Sequence, residues 1–335
     1  MITDGRGTKN FSYRTMVRMY ETVYVDSLRM NRKHKLKIGF KTKILNSLRN
    51  IFKISVLEKL LVKYTMSRDF RSLIVRLAPN NYQYRPNSIR NVVRNGIVYT
   101  LDISDWMEWQ LYYGIKDIAL GNAIALCKRG YTVFDVGTNI GIMLLNFAKA
   151  VGSEGFVYGF EPNPVVYDKC IENIGLNNFS NIKVSNMGLG NQDGEFTLTT
   201  PSPLNKGGAY INLNGMKDDL VNSSYNVAVT TIDKFVQTHA VPKIDLIKID
   251  VEGFEYNVLK GAFHILQRHK PLLFVEVDDN FLKRQDSSAK ELVELLHGLG
   301  YVVRKADTHT IVKPDYNFLD CHFDIVCRVE IEQNK

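Results

Sequence analysis

The fold is decided by the stretch Val133-Phe134-Asp135-Val136-Gly137-Thr138-Asn139-Ile140-Gly141-Ile142. A short apolar strand ends there in a glycine turn, and the spacing of the apolar residues that follow predicts a helix. Gly137 and Gly141 suit a tight strand-to-helix turn in which the backbone approaches a ligand closely. Because Asn139 interrupts the dinucleotide fingerprint G-x-G-x-x-G, the turn favours a nucleoside-type ligand over one that carries a pyrophosphate.

The next predicted strand, Phe156–Phe160, ends in an acidic residue. Glu161 follows it directly and lies 26 residues after Asp135, which is the length of one strand-helix-strand step. A carboxylate at the end of the second strand can accept hydrogen bonds from the two vicinal hydroxyls of a ribose. The two sites together therefore predict a nucleoside-binding edge of a sheet.

A third strand also ends in acids at a glycine turn, in the stretch Asp245-Leu246-Ile247-Lys248-Ile249-Asp250-Val251-Glu252-Gly253-Phe254-Glu255. We expect Asp250 to stand over the crevice at the carboxyl ends of the central strands, where such sheets bind ligands. Glu255 would fall in the first turn of the following helix, where the helix dipole favours a negative charge.

Strand-like and helix-like segments alternate from about residue 96 onward, which predicts an α/β fold with a doubly wound, mostly parallel sheet. No helix separates the last two strand candidates, so the final strand can run antiparallel. The candidates are Thr132–Val136, Phe156–Phe160, Ile182–Val184, Ile244–Ile249, Leu272–Val277, Tyr301–Arg304 and Phe323–Val329.

The charge of the chain is divided unevenly along its length. Residues 1–95 hold 21 Lys and Arg against 5 Asp and Glu, a net charge of +16, whereas residues 96–335 hold 22 against 30, a net charge of −8. We therefore divide the chain into a basic, partly helical extension at 1–94 and an α/β domain at 95–335. A β-rich insertion is expected within that domain at 190–232.

Residues 41–64 predict a basic amphipathic helix, or two helices broken near Ile54–Val56. Three roles stay open for it: packing on the body or on a second copy in a homodimer, attachment to an anionic membrane, and contact with nucleic acid. Because the first 30 residues are polar and charged, we expect no secretory leader, and no apolar run is long enough to span a membrane. We expect a cytoplasmic protein, with peripheral attachment at the inner membrane face as an option.

Taken together, these stretches resemble class I S-adenosylmethionine-dependent methyltransferases, and specifically the FkbM family. The resemblance covers about residues 95–280, and its most specific part is the segment that holds Asp250 and Glu255. The other matching stretches are Phe134–Gly141, Gly159–Asn163, Gly188–Gly190 before Asp193-Gly194, Thr231–Asp233 and Leu259–Ala262.

The resemblance implies a Rossmann-like methyltransferase sheet of seven strands, bound S-adenosylmethionine, and methyl transfer to a hydroxyl of a sugar, glycan or secondary metabolite. Glu161 would hold the ribose of the cofactor, and Asp250 would lie near the transferring methyl group. Many relatives carry a Glu shortly after a Tyr-x-Gly-like stretch, and Asp117 would take its place here. The methionine end of the cofactor would face Asp135, Gly137, Asn139 and Gly141.

A hydroxyl nucleophile needs a base to take its proton, or a metal to make that proton more acidic. The candidate catalytic residues are Asp250, Glu252 and Glu276, all near the ends of the fourth and fifth strands. The same acids suit Mg²⁺, but we assign no metal site.

Two other function classes remain. A nucleic-acid methyltransferase would use the basic extension, although the chain lacks the Asn/Asp-Pro-Pro-aromatic turn of amino-group methylation, so nucleic acid is disfavoured. A non-catalytic module would use the front helix to hold a membrane or a partner.

Overall fold

The computed structural model describes residues 40–201, 204–212 and 223–330. The strands within these ranges, β1 to β13 in chain order, are Ile89–Arg94, Ile97–Asp102, Thr132–Val136, Phe156–Phe160, Ile182–Ser185, Gly188–Leu189, Gly194–Thr200, Tyr210–Ile211, Ser223–Thr230, Leu246–Ile249, Leu272–Asp278, Tyr301–Lys305 and His322–Val329. The α-helices, α1 to α11, are Phe40–Arg49, Ser55–Thr65, Trp106–Tyr112, Ile118–Ala125, Ile142–Val151, Pro164–Gly175, Ile232–Thr238, Glu255–Lys260, Phe263–His269, Asp279–Arg284 and Ala289–Gly298.

A seven-stranded sheet forms the centre of the molecule, in the order β12-β13-β11-β10-β3-β4-β5. The strands from β11 to β5 run parallel, whereas β13 lies antiparallel between β11 and β12. All four residues of β10 are buried, because helices cover both faces of a parallel sheet. The predicted fold class and the antiparallel final strand are both confirmed.

The register of the central strands brings the predicted site residues to one edge. Asp135 in β3 pairs with Lys248 in β10, and Lys248 pairs in turn with Phe274 in β11. Since these three strands are parallel, the loops that follow them emerge at the same edge of the sheet. Asp250 and Glu276 lie two residues further toward that edge than Lys248 and Phe274.

A second sheet of four strands, in the order β6-β9-β7-β8, lies within residues 188–230. A short 3-10 turn, Lys206–Gly208, lies between β7 and β8 and contacts residues outside this sheet. The backbone N–H of Lys206 donates to Asp105 Oδ2 at 3.0 Å. A Cβ on Gly207 would lie 2.3 Å from Asn139 Nδ2, so this turn rests directly on the glycine loop after β3.

The predicted front helix is two helices, α1 and α2, joined by a 3-10 turn at Asn50–Lys53. Ile54 has extended backbone angles and interrupts the helical path, as the pattern near Ile54–Val56 indicated. Within the described residues, no helix has the length and apolar character that a membrane crossing needs.

The prolines and asparagines of residues 79–95 predict a linker, but this segment contains strand β1, so that prediction is wrong. β1 pairs with β2 in an antiparallel hairpin that crosses the expected boundary at 94/95. Asn95 and Gly96 form its two-residue turn with φ of 52° and 72°. Asn-Gly is the dipeptide that tolerates two left-handed residues in succession, so a local signal for the hairpin was present.

Candidate active site

The loop after β3 requires both of its glycines. Gly137 has φ of 79°, and a Cβ there would lie 1.9 Å from the backbone oxygen of Asp250. Gly141 has φ of 90°, and a Cβ there would lie 3.0 Å from Cys170 Sγ. The left-handed conformation and the close backbone approach both exclude other residues at Gly137. The loop therefore packs directly against the backbone that follows β10 and leads into the start of α5.

Glu161 binds this loop from the end of β4. Its Oε2 accepts the backbone N–H of Asn139 at 2.8 Å, and its Oε1 accepts the backbone N–H of Asn163 at 2.9 Å. Burial raises the pKa of Glu161 to about 7, against the opposing effect of these two donors. Each carboxylate oxygen keeps a second lone pair, so the group can still accept two hydroxyl donors. The residues at this position fit the ribose of a nucleoside cofactor.

Lys248 lies beneath the loop and joins two of the predicted acids. Its Nζ is 3.4 Å from Asp135 Oδ1 and 3.7 Å from Asp250 Oδ2, and it donates to the backbone oxygen of Gly137 at 2.8 Å. Asp135 and Lys248 are both buried, whereas the side chain of Asp250 is 43% exposed. Burial favours the neutral amine, but the nearby carboxylates outweigh it and raise the pKa of Lys248, so the lysine stays charged.

The sequence patterns described above assign no role to Lys248. A lysine within a buried strand nevertheless indicates a paired charge, because lysines are almost never fully buried unless paired. Asp135 lies beneath the loop against this lysine. Its expected approach to the methionine end of the cofactor stays a prediction.

The turn after β10 is held by Glu255. Its Oε1 accepts the backbone N–H groups of Val251 at 3.0 Å and of Gly253 at 3.1 Å. The predicted position of Glu255 in the first turn of a helix is confirmed. Glu252 has φ of 54° in the same turn, one position before Gly253. The turn places Asp250 and Glu252 directly after β10, at the edge of the sheet where β3 and β11 also end, and both stay candidates for proton transfer.

A histidine joins the candidate base Glu276 at the end of β11. His322 Nδ1 lies 2.6 Å from Asp278 Oδ2, and its Nε2 lies 3.3 Å from Glu276 Oε1. Asp278 is itself fixed, because its Oδ1 accepts the backbone N–H groups of Asn280 and Phe281 at the start of α10. The side chains of His322 and Glu276 are 20% and 15% exposed, so both are partly accessible to solvent.

The sequence does not indicate a role for His322, because this residue is far from Glu276 along the chain. The antiparallel pairing of β13 with β11 places it opposite Asp278, and no local motif encodes that register. In the described ranges, no group of three or more His, Cys, Asp or Glu side chains is arranged to hold a metal ion.

Asp117 begins helix α4. Its Oδ1 accepts the backbone N–H of Leu120 at 2.9 Å, which is the hydrogen bond of a helix cap. Asp117 also lines a cavity of about 250 Å³ together with Gln110 and Ile142, the first residue of α5. Contact of Asp117 with the cofactor stays a prediction.

A family model, the methyltransferase FkbM domain, matches residues 135–303, which is half of the chain. The chain belongs to the FkbM methyltransferase family. The predicted family, and with it the class of S-adenosylmethionine-dependent methyltransferases, is confirmed.

Among its relatives, this FkbM protein is 33% identical over 135 residues to the hexuronic acid methyltransferase AglP of Haloferax volcanii. That match covers 40% of this chain and 51% of the relative, so the chain spans about half the length of that relative. It is 28% identical over 192 residues to Methyltransferase 1 of Beauveria bassiana, with 52% of this chain and 74% of the relative covered.

Two solved structures of methyltransferases align with the FkbM chain. The FkbM methyltransferase of Methylobacillus flagellatus has a TM-score of 0.38 and 21% identity, covering 59% of this chain and 43% of that one. TYW2 of M. jannaschii in complex with AdoMet has a TM-score of 0.39 and 16% identity, and the alignment covers 73% of this chain and 87% of that one.

A buried acid near the glycine loop makes the stability of this FkbM protein depend on pH. Burial, and then the charge of Asp105, raise the pKa of Glu108 to about 8 from the ordinary 4.5. The folded state thus holds this proton more tightly than the unfolded state does. Its contribution to stability is full below about pH 4.5 and is lost as the pH rises through about 8.

We expect Glu108→Gln to match the wild type near pH 4 and to be more stable by on the order of 2 kcal/mol near pH 9. The amide oxygen can still accept the backbone N–H of Asp102, which donates to Glu108 Oε2 at 2.6 Å. Urea unfolding across this range measures the difference, with the exposed Glu154→Gln as the control. A constant difference between wild type and Glu108→Gln at all pH values would contradict the expectation.

Proposed function

We propose that this FkbM-family protein transfers a methyl group from S-adenosylmethionine to a hydroxyl oxygen of a sugar, a glycan or a secondary metabolite. The observation that carries the proposal is the imidazole of His322, held between Asp278 and Glu276 at the carboxyl end of β11. The match to a hexuronic acid methyltransferase supports a sugar as the acceptor.

The residues around the glycine loop would hold the cofactor. The carboxylate of Glu161 would accept the two ribose hydroxyls, and the backbone between Gly137 and Gly141 would receive the methionine end. When bound, the sulfonium supplies a methyl group that is already activated for transfer. The chain therefore has to align the acceptor oxygen with that methyl group and to remove the hydroxyl proton.

His322 is the group best placed to take that proton. With the proton on Nδ1 donated to Asp278, the single lone pair of Nε2 would be the one that accepts the hydroxyl proton. The hydroxyl proton would then lie on Nε2, the atom 3.3 Å from Glu276 Oε1. Asp250 and Glu252 remain alternative bases at the neighbouring strand end.

The acid-rich crevice disfavours a nucleic-acid acceptor. Asp250 and Glu276 lie on adjacent strands, and Asp324 pairs with Glu276 in the sheet register. These three carboxyl groups would repel a phosphate backbone, which basic surfaces bind. A neutral hydroxyl compound meets no such repulsion there.

Calorimetric titration with S-adenosylmethionine tests the cofactor site. We expect saturable binding by the wild type and an affinity about 10–100-fold lower in Glu161→Gln, because hydrogen bonds to a charged acceptor contribute about 1.5–3 kcal/mol. Glu172→Gln is the matched control, since Glu172 lies on α6 and is 48% exposed. Absent binding in the wild type, or equal binding in Glu161→Gln, would overturn the cofactor assignment.

An acceptor screen with methyl-labelled cofactor tests the reaction. The panel should contain uronic acids, nucleotide sugars, polyols, small phenols and transfer RNA. We expect label in a sugar or polyol fraction as a methyl ether, identified by mass spectrometry of the product. Label in RNA, or on nitrogen, would contradict the proposal.

A further inference from the structure

We propose that the outward face of α1 and α2 binds an anionic membrane surface. Exposed apolar side chains are concentrated there: of nineteen large apolar side chains exposed in the described residues, ten lie between residues 44 and 77. They form one stripe on α1 and the following turn and another along α2. The stripes are Ile44, Leu48 and Ile51, and Val56, Leu60 and Tyr64, with exposures from 48% to 75%.

The opposite face of α2 is fixed to the catalytic domain. Glu58 is buried and its Oε1 accepts Tyr112 Oη and Arg90 Nε, each at 2.7 Å. Thr65 Oγ1 donates to the backbone oxygen of Tyr113 at 2.6 Å, and Leu61 is buried between these contacts. Because a buried, charge-paired network holds this side, α2 cannot rotate to hide Val56 and Leu60 without breaking it. The apolar stripe is therefore presented outward by the fold.

The positive charge of residues 40–78 favours an anionic partner. Residues 40–78 contain nine Lys and Arg and two acids, and one of those acids, Glu58, is already buried against Arg90. Lys59 and Lys63 are exposed beside the apolar stripe of α2. Aliphatic side chains flanked by lysines match the boundary between lipid head groups and acyl chains.

Other occupants fit this surface less well. A second copy packed on the same face would bring two basic segments together, and such contact is repulsive. Residues 1–39 carry nine Lys and Arg against three acids, so they too would be repelled from it. Nucleic acid would satisfy the lysines but would leave the aliphatic side chains in water. An anionic lipid surface satisfies both features.

Co-sedimentation of the full-length protein with vesicles tests this proposal. We expect binding to phosphatidylcholine vesicles that contain about one-third phosphatidylglycerol, and at least about tenfold weaker binding to phosphatidylcholine alone. Two double variants, Val56→Asp/Leu60→Asp and Lys59→Glu/Lys63→Glu, should each weaken binding by about tenfold or more. All four positions are exposed, so circular dichroism should show folded proteins.

The matched controls are Leu319→Asp and Lys290→Glu, which alter an exposed leucine and an exposed lysine far from α2 in the sequence. Their vesicle binding should equal that of the wild type. Absent binding by the wild type, equal binding to both vesicle types, or unchanged binding by both double variants would each overturn the proposal. So would a dimer of the wild type that Val56→Asp/Leu60→Asp converts to a monomer in light scattering, because a second copy would then cover the face.

Discussion

Lys248→Met is expected to lower the free energy of unfolding by about 3–5 kcal/mol. Methionine fills nearly the same space, but it removes the ammonium that lies 3.4 Å from Asp135 Oδ1. Asp135 is fully buried, so its carboxylate would lose its neighbouring cation in a medium that cannot solvate it. The backbone oxygens of Val136 and Gly137 would also lose their donor, which loosens the loop that we propose receives the cofactor.

Urea unfolding measures this change in the free energy of unfolding. A double variant tests its cause, and a surface variant serves as the control. Asp135→Asn combined with Lys248→Met should recover about half of the loss, because no unpaired charge then remains in the core. Lys290→Met, at a lysine 62% exposed and paired only on the surface, should cost less than about 0.5 kcal/mol.

The loss of unfolding free energy in Lys248→Met, relative to the wild type, should be smaller near pH 5 than near pH 8. A buried carboxylate without a cation has a raised pKa in the folded state and escapes its penalty by binding a proton. If Lys248→Met were as stable as the wild type near pH 8, the ammonium would not be what keeps Asp135 in the core.

His322→Asn is expected to lower kcat by about 10²–10⁴-fold while leaving the affinity for S-adenosylmethionine unchanged within about twofold. The asparagine amide can still donate to Asp278 in place of Nδ1, so the strand end keeps its hydrogen bond. The variant lacks Nε2, the atom that lies 3.3 Å from Glu276 Oε1 and that we propose takes the hydroxyl proton. The loss should therefore appear in turnover and not in cofactor binding.

Turnover with the acceptor found in the screen, together with calorimetry of cofactor binding, separates these two effects. His297→Asn is the control, since His297 lies on α11 and its ring contacts the backbone oxygen of Val312. Turnover of His322→Asn within about threefold of the wild type would contradict the role of His322 as the base. Asp250 or Glu252 would then be the residue that takes the hydroxyl proton.

Local patterns predicted the strands and the loops that follow them. Thr132–Val136 and Phe156–Phe160 have the predicted bounds, and the antiparallel final strand was expected from a missing helix. These features were readable because a buried strand, a glycine turn and a helix start each depend on neighbouring residues. The hairpin at Asn95-Gly96 was missed although its turn chemistry is local, because the prolines and asparagines before it suggested a linker.

The chemistry at the strand ends depends on residues far apart in the chain. His322 meets Glu276 through the register of β13 against β11, and Lys248 joins Asp135 through the pairing of β10 with β3. A sequence shows that these residues are ionisable, but the distance and burial that set their roles arise only when strands pair. The burial of Glu58 also depends on long-range contacts. This carboxylate lies in a basic helix and is buried because Arg90 and Tyr112 pack against it and donate hydrogen bonds to it. The pattern of side chains along the backbone thus specified the sheet and its glycine loop, whereas long-range pairing assigned partners to the charged groups.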